Sequence, residues 1–261
     1  MLLINNTNIN PYFNLAMEEY FLKNAKEDIF LLWQNENAII VGKNQNTLSE
    51  INYDYVKNNN IKVVRRQSGG GAVFHDLGNI NFTFISYNDN SFSDFKKFTM
   101  PIVAALKELN INAEFSGRND LLIDNQKFSG NAQYNYKNNV MHHGTLLFSS
   151  KINDLSAALK VKPSKFEGKG VKSVKSRVTN ISNHLGKEMS VVEFKDYLLN
   201  FINNFVGNYG LAIIMFTILI KIIMLPLSIK QQRTMKKSSE LQEKMKVLQF
   251  KYKNDPEKLN R

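Results

Sequence analysis

The residues best equipped for chemistry lie in the string RRQSGGGAVFHDLGN, positions 65–79. Three consecutive glycines, Gly69, Gly70 and Gly71, make a tight turn behind an apolar run. Without Cβ atoms, their backbone N–H groups can approach an anion closely. Arg65 and Arg66 add charge, and a guanidinium can grip phosphate or carboxylate with two parallel hydrogen bonds. A glycine turn beside two surface arginines is commonplace. The whole fifteen-residue string is what points to an anion cradle.

A second string, GRNDLLIDNQKFSGNA (117–132), supplies oxygen ligands and a cation. Asn119 and Asp120 can hold Mg²⁺ or phosphate-linked groups, since hard cations prefer oxygen. Lys127 falls in an expected strand among Asp124, Gln126 and Ser129. There its ammonium can neutralise a carboxylate and then a phosphate as charge develops. Taken alone, Asp120 and Lys127 read equally as a surface pair. A third string, HHGTLLF (142–148), holds adjacent histidines. In a strand these point to opposite faces, and no third ligand is evident nearby, so metal coordination by them is not expected. His75 and His142 read equally as pocket residues whose polar atoms are satisfied.

The elements that must position these residues are legible as periodicity. NLAMEEYFLKNA (14–25) has helical spacing, and IFLLW (29–33), AIIVG (38–42) and IKVVR (61–65) read as strands. INFTFISY (80–87) alternates apolar and polar positions, as a half-buried strand does. SDFKKFTMPIVAALKEL (93–109) is helical in spacing, with Ser93 or Asp94 as N-cap. Pro101 marks a kink or a late start in it. Further strands are expected at 111–116, 120–124, 126–134 and 140–148, and SVVEFKDYLLNFI (190–202) reads as a closing helix. Many short, hairpin-like strands argue for an α/β (α+β) domain with a mixed, largely antiparallel sheet and flanking helices.

Composition excludes several classes. The chain has no cysteine, which removes disulfides, cysteine zinc sites and cysteine nucleophiles. The first residues show no basic and apolar signal, so no secretory leader is expected. The net charge is +11, but residues 1–200 carry 23 Lys+Arg against 19 Asp+Glu, and residues 201–261 carry 11 against 4. The excess thus gathers in the last quarter, and no nucleic-acid partner is expected. Residues 162–177, KPSKFEGKGVKSVKSR, form a basic loop.

The character of the chain changes near residue 200. Residues 205–229 contain one charge, Lys221, in 25 positions. At 1.5 Å per residue that stretch reaches across a bilayer core of roughly 30 Å, and its apolar residues run all round with no polar face. It reads as a transmembrane helix, with Pro226 tolerated near its end. Residues 230–261 read as a charged amphipathic helix. Three regions are therefore expected: 1–200, 204–229 and 230–261.

Together, RRQSGGGAVFHDLGN, GRNDLLIDNQKFSGNA, HHGTLLF and GKGVKSVKSRVTNI (168–181) resemble the lipoate–protein ligase A family over about residues 1–200. The resemblance implies the fold shared by biotin and lipoate protein ligases. It also implies a two-step reaction, in which lipoate and ATP give lipoyl-AMP and pyrophosphate before the acyl group passes to a lysine ε-amine. Arg66, Gly71, Ala72, Val73 and Phe74 would line the ATP site. Lys127, the catalytic candidate, would contact lipoate and the α-phosphate, while Asn119 and Asp120 would serve the nucleotide and its Mg²⁺. Arg65, Ser68, Gly69, Gly70, His75, Asn79, Gly130, His143 and Gly144 complete the ATP- and lipoate-binding candidates. The loop 168–177 would order over the adenylate. Implied acceptors are lipoyl domains of 2-oxoacid dehydrogenase E2 subunits or the glycine cleavage H protein. Lack of cysteine argues against the related octanoyltransferases, and the first string leans to lipoate over biotin.

Residues 204–261 resemble the start of the YidC/Oxa/Alb membrane-insertase core. Lys221 would then be an intramembrane charge where that family usually places an arginine, and an intramembrane charge normally marks a site. One span cannot build an insertase. Lys230, Arg233, Lys236 and Lys237 follow the span and place that side in the cytoplasm. A single span would then put the ligase region outside, away from ATP, whereas its chemistry calls for the cytoplasm. The family's small C-terminal domain would begin near residues 200–205, where this chain departs from the pattern. A joining of pieces of two genes, a natural truncation fused to an insertase remnant, and a membrane-tethered ligase all remain open. An insertase fragment with an inactive passenger is the competing reading.

Overall fold

The computed structural model describes residues 1–89, 91–117, 119–159 and 178–251. The chain divides into two units, Met1–Phe205 and Val206–Arg261.

The first unit is built on a seven-stranded sheet in the order β1-β2-β6-β10-β9-β8-β7. Its strands are β1 (Leu2–Asn5), β2 (Ile29–Trp33), β6 (Asn79–Ser86), β7 (Ala113–Ser116), β8 (Asp120–Ile123), β9 (Gln126–Tyr136) and β10 (Asn139–Leu147). Only β1 and β2 pair in parallel; every other neighbour is antiparallel. A smaller sheet joins β3 (Ala38–Val41) to β4 (Lys62–Arg65) in parallel and to β5 (Val73–His75) antiparallel. The mixed, largely antiparallel architecture expected from the hairpin spacing is thus the one observed.

Helices cover the large sheet on both faces. On one, α4 (Phe95–Glu108) and the first turns of α6 (Val191–Lys251) bury Phe98, Ile102, Leu106, Phe194, Leu198 and Ile202 against Phe82, Phe84, Leu121, Phe128 and Leu146. Phe194, Leu198 and Ile202 recur every four residues and form one fully buried stripe. Each such side chain contributes about 2–3 kcal/mol of burial. On the other face, α1 (Pro11–Asn24) packs Leu22 with Ile29, Leu31, Trp33, Ile85 and Met141. Asn10 caps α1, accepting from the Tyr12 N–H, and Pro11 starts the helix, so it begins before the apolar spacing at 14 announces it.

The structure amends several sequence readings. The Asp94 carboxylate caps α4, accepting from the Lys97 N–H at 3.0 Å, and the helix continues through Pro101. β6 is buried along nearly its whole length, not half-buried. Its polar face, Asn79, Asn81 and Thr83, lies within the protein, not toward solvent. Short elements escaped the periodicity: β1, α2 (Thr47–Glu50), α3 (Tyr53–Asn58) and α5 (Ile152–Ala158). α6 runs over 61 residues with Pro226 inside it. Lys221 is exposed on that helix. Among the described residues, no helix is long and apolar enough to cross a membrane. The basic loop 162–177 lies outside the described residues.

Candidate active site

Arg66 organises the glycine turn. It is 8% exposed, and all three of its nitrogens are engaged. Nε donates to Ser68 Oγ at 3.0 Å and to the Gly69 carbonyl at 3.2 Å. Nη1 donates to the Ile40 carbonyl at 3.1 Å, and Nη2 to the Gly69 and Gly71 carbonyls, each at 2.8 Å. Burial draws its pKa down to about 10, opposed by the nearby charge of Glu18, and the group stays cationic at neutral pH. Gly70 adopts φ +97°, a left-handed conformation that suits glycine. Its carbonyl lies 2.1 Å from where a Cβ on Gly42 would stand, so the turn seats directly on the end of β3.

A buried chain of hydrogen bonds anchors this turn to the large sheet. Ser68 Oγ lies 2.6 Å from His143 Nε2, and His143 Nδ1 lies 3.0 Å from Glu18 Oε1. Thr83 Oγ1 donates to the same carboxylate oxygen at 2.5 Å and accepts from Trp33 Nε1 at 3.0 Å. Arg66, Ser68 and His143 from one side, and Trp33 and Thr83 from the other, thus converge on one buried carboxylate. Charge-assisted bonds of this kind are the strong ones.

Lys127 comes from the facing hairpin. Its Nζ lies 2.8 Å from Asp120 Oδ1, with both side chains partly exposed. The same amine sits 3.0 Å from where a Cβ on Gly130 would be. Asn119 and Asn131 lock the hairpin reciprocally: Asn119 Nδ2 donates to the Asn131 carbonyl at 2.8 Å, and Asn131 Nδ2 to the Asn119 carbonyl at 3.0 Å. The chain returning at Val178 bridges Lys127 in parallel, and the Thr179 N–H donates to the Lys127 carbonyl at 3.0 Å.

Both motifs open onto one cleft of about 710 Å³, including its open mouth. Arg66, Gly70, Gly71, Ala72, Val73 and His75 line it from the small sheet, and Asn119, Lys127, Gly130, His143 and Gly144 from the large one.

Other candidates lie elsewhere. Arg65 alternates to the far side of β4, where it donates to the Gly42, Lys43 and Gln45 carbonyls and to Thr47 Oγ1. Phe74 alternates away from the cleft and packs with Ile39, Val41 and Val56. Ser68 and Asn79 are buried behind the lining, Gly69 is exposed, and Asp120 reaches the cleft only through Lys127. The adjacent histidines do face opposite ways. His142 stacks between Phe82 and Phe98, and burial holds its pKa down at about 3. Among the described residues, no group of three or more His, Asp or Glu could hold a metal ion.

Sequence reasoning missed Leu15, Trp33, Ile40, Asn81, Asn131, Ala132 and Thr145 in the lining, and Glu18 beneath it. For Asn81 the available signal was a polar residue in an otherwise largely apolar strand. That signal ordinarily marks a solvent face.

The domain is thus a two-sheet fold whose glycine turn and lysine hairpin share one cleft. The chain belongs to the lipoyl protein ligase A/B catalytic domain family, whose model matches residues 10–203. Residues 201–261 match the 60Kd inner membrane protein family. Lipoate-protein ligase LplJ of Bacillus subtilis is 53% identical over 214 residues, covering 80% of this chain and 65% of that one. Lipoate–protein ligase 1 of Staphylococcus aureus is 52% identical, covering 76% and 62%. The chain thus spans just under two thirds of the length of these relatives. Among solved structures, the bi-partite lipoate protein ligase of Thermoplasma acidophilum superposes with a TM-score of 0.70 at 28% identity, over 79% of this chain and 83% of that one. A lipoate-protein ligase A bound with ATP gives 0.68 at 26% identity, over 79% and 85%.

Proposed function

We propose that this chain is an ATP-dependent lipoate–protein ligase whose catalytic unit is Met1–Phe205. The observation that carries the reading is the convergence of the glycine turn and Lys127 on one cleft. The relatives' names and the ATP-bound structural neighbour support it.

In this reading the apolar part of the acid lies among Leu15, Trp33, Ile40 and Val73, and its carboxylate reaches Lys127. The nucleotide phosphates meet the N–H groups of the glycine turn. A carboxylate attacking the α-phosphate brings like charges together, so a cation at that point lowers the barrier. One carboxylate oxygen bonds to the α-phosphorus as the bond to the bridging oxygen of pyrophosphate breaks. A lysine ε-amine of the acceptor then attacks the acyl carbon, AMP leaves, and the amine loses a proton. Mg²⁺ near Asn119 and Asp120 would offset phosphate charge. Arg66 acts on the nucleotide by shaping the turn, its donors being committed to carbonyls and Ser68. The proposed acceptors are lipoyl domains of E2 subunits or the H protein. The use of ATP favours a cytoplasmic location for this unit.

The test is lipoate-dependent exchange of labelled pyrophosphate into ATP by the full chain, with mass-detected lipoylation of a lipoyl domain. Supplied lipoyl-AMP isolates the second step. Absence of both exchange and transfer would overturn the reading.

A second proposal concerns residues 205–229, read as a membrane-associating segment. The match of residues 201–261 to a membrane-protein family supports it. So do Ile218, Ile220, Ile222, Met224 and Leu225, apolar and 44–64% exposed on α6. Flotation of the full chain with liposomes tests this, and a chain that stays in the dense fraction defeats it.

A further inference from the structure

His142 stands behind the cleft lining, yet its ring sits in a chain of hydrogen bonds that ends in that lining. The side chain is fully buried, stacked between Phe82 and Phe98 with Phe95 edge-on at 5.6 Å. The chain of bonds starts at the head of α4. The Ser93 N–H donates to Gln133 Oε1 at 2.6 Å, and Gln133 Nε2 donates to the Asp94 carbonyl at 3.3 Å. These two contacts fix which way the Gln133 amide points, so its Nε2 is the donor to His142 Nδ1, at 3.1 Å. At the far end, Asn131 Nδ2 donates to the Asn119 carbonyl at 3.0 Å, which turns Asn131 Oδ1 toward His142 Nε2, at 3.3 Å. Each end demands the same ring: Nδ1 accepts and Nε2 carries the proton. Burial, and then the neighbouring His143, holds the His142 pKa down at about 3, so the ring carries one proton near pH 7. With that proton on Nδ1 instead, two donors would face each other at one end and two acceptors at the other.

Asn131 and Asn119 both line the cleft. A Cβ on Gly144 would stand 2.2 Å from Asn131 Oδ1, so the amide lies directly over that glycine. The Asn131 N–H also donates to the Asn119 carbonyl at 2.9 Å, and Asn119 Nδ2 to the Asn131 carbonyl at 2.8 Å. One residue along, Asp120 pairs with Gly130, over which Lys127 folds. A turn of the Asn131 amide would therefore undo the side-chain half of this lock beside the hairpin that carries Lys127.

We propose that His142 is a positioning residue: as its Nε2–H tautomer it holds the Asn131 amide, and through it Asn119 and the Lys127 hairpin, in the arrangement that adenylation uses. This rests on the ligase reading. His142 touches no substrate and acts only through Asn131.

The experiment compares two full-length variants that divide the two roles of the ring. His142→Phe keeps the stack and loses the Nε2 donor. His142→Gln loses the stack and keeps an N–H for Asn131 Oδ1. Thermal melting should rank His142→Phe above His142→Gln. Lipoate-dependent pyrophosphate exchange at saturating substrates should rank them the other way. We expect kcat about tenfold down in His142→Phe and within about threefold of wild type in His142→Gln, with the KM for lipoate little changed. A role confined to packing moves rate and stability together and cannot give this crossed order. Long-range proton–nitrogen correlation spectra of isotope-labelled protein, with His142 assigned by its loss in His142→Phe, should show Nε2 protonated at pH 7. Should His142→Gln fail to fold, the tautomer and the His142→Phe rate decide. Wild-type kcat in His142→Phe, a rate order that follows the melting order, or a ring protonated at Nδ1 each overturns the inference and leaves the ligase standing. A wild type that performs neither exchange nor transfer from lipoyl-AMP removes the ligase reading, and the role of His142 with it.

Discussion

Lys127 Nζ and Asp120 Oδ1 meet at 2.8 Å across the β8–β9 hairpin, at the edge of the cleft that the glycine turn faces. The ammonium is thus held by a carboxylate at the place where a substrate carboxylate would compete for it. Lys127→Ala should lower lipoate-dependent pyrophosphate exchange by about 10²–10³. Both partners are substantially exposed, so urea unfolding should shift by less than about 1 kcal/mol. Full activity in this variant would falsify the role given to Lys127.

Arg66 and Arg65 are sequence neighbours with different fates. Arg66→Met strands the Ile40 and Gly71 carbonyls and removes the tie to Ser68. A loss of about 3–5 kcal/mol is expected. Arg65→Met acts at the exposed side of β4, and its cost should be smaller, about 1–2 kcal/mol. Chemical denaturation of the two variants side by side distinguishes them, and equal losses would contradict the assignment of Arg66 as organiser.

Gly42 supports the cradle from below. A methyl group there meets the Gly70 carbonyl at 2.1 Å, a contact that only backbone movement can relieve. Gly42→Ala should weaken ATP binding at least about tenfold while lipoate binding changes less, because the displaced turn carries the phosphate donors in the proposed reading. Separate titrations with each substrate read this out. Loss confined to lipoate would be the wrong outcome.

His75 and His142 predict a stability that depends on pH. Both are buried, and desolvation, their main cause of shift, lowers the pKa from 6.5 to about 3. In the unfolded chain both take up a proton below the ordinary value, while in the fold they do not. Stability is therefore complete above pH 6.5 and falls as the pH drops toward about 3. Each histidine removes about 1.4 kcal/mol per pH unit in that window. Urea midpoints measured from pH 7.5 to 4.5 should show the decline, and His142→Phe, which keeps the stack on Phe82 and Phe98, should flatten it. A His142→Phe profile parallel to that of the wild type would count against the argument.

Much of the scaffold was legible because its signals are local. Strands such as Ile29–Trp33 and Ala38–Val41 are short apolar runs with clear boundaries, and α4 announces itself through spacing and Asp94. Asn81 fell among the polar positions of a strand read as half-buried, and Glu18 drew no reading of its own. Polarity in an apolar element ordinarily reports a solvent face, and here that face is covered by a helix and a cleft.

The amino-acid string alone determined which chemical groups the catalytic unit has at hand: a glycine turn, a lysine beside carboxylate and amide oxygens, no thiol, and elements for a mixed sheet. Those are matters of residue type and short-range spacing, which a linear chain displays directly. Tertiary structure decided which groups face one another. Strand alternation sent Val73 and His75 into the cleft and Phe74 and Arg65 away from it, and pairing across β2, β6 and β10 set Asn81 beside Trp33 and Thr145. Register and facing depend on contacts between residues far apart in sequence, so no local pattern encodes them.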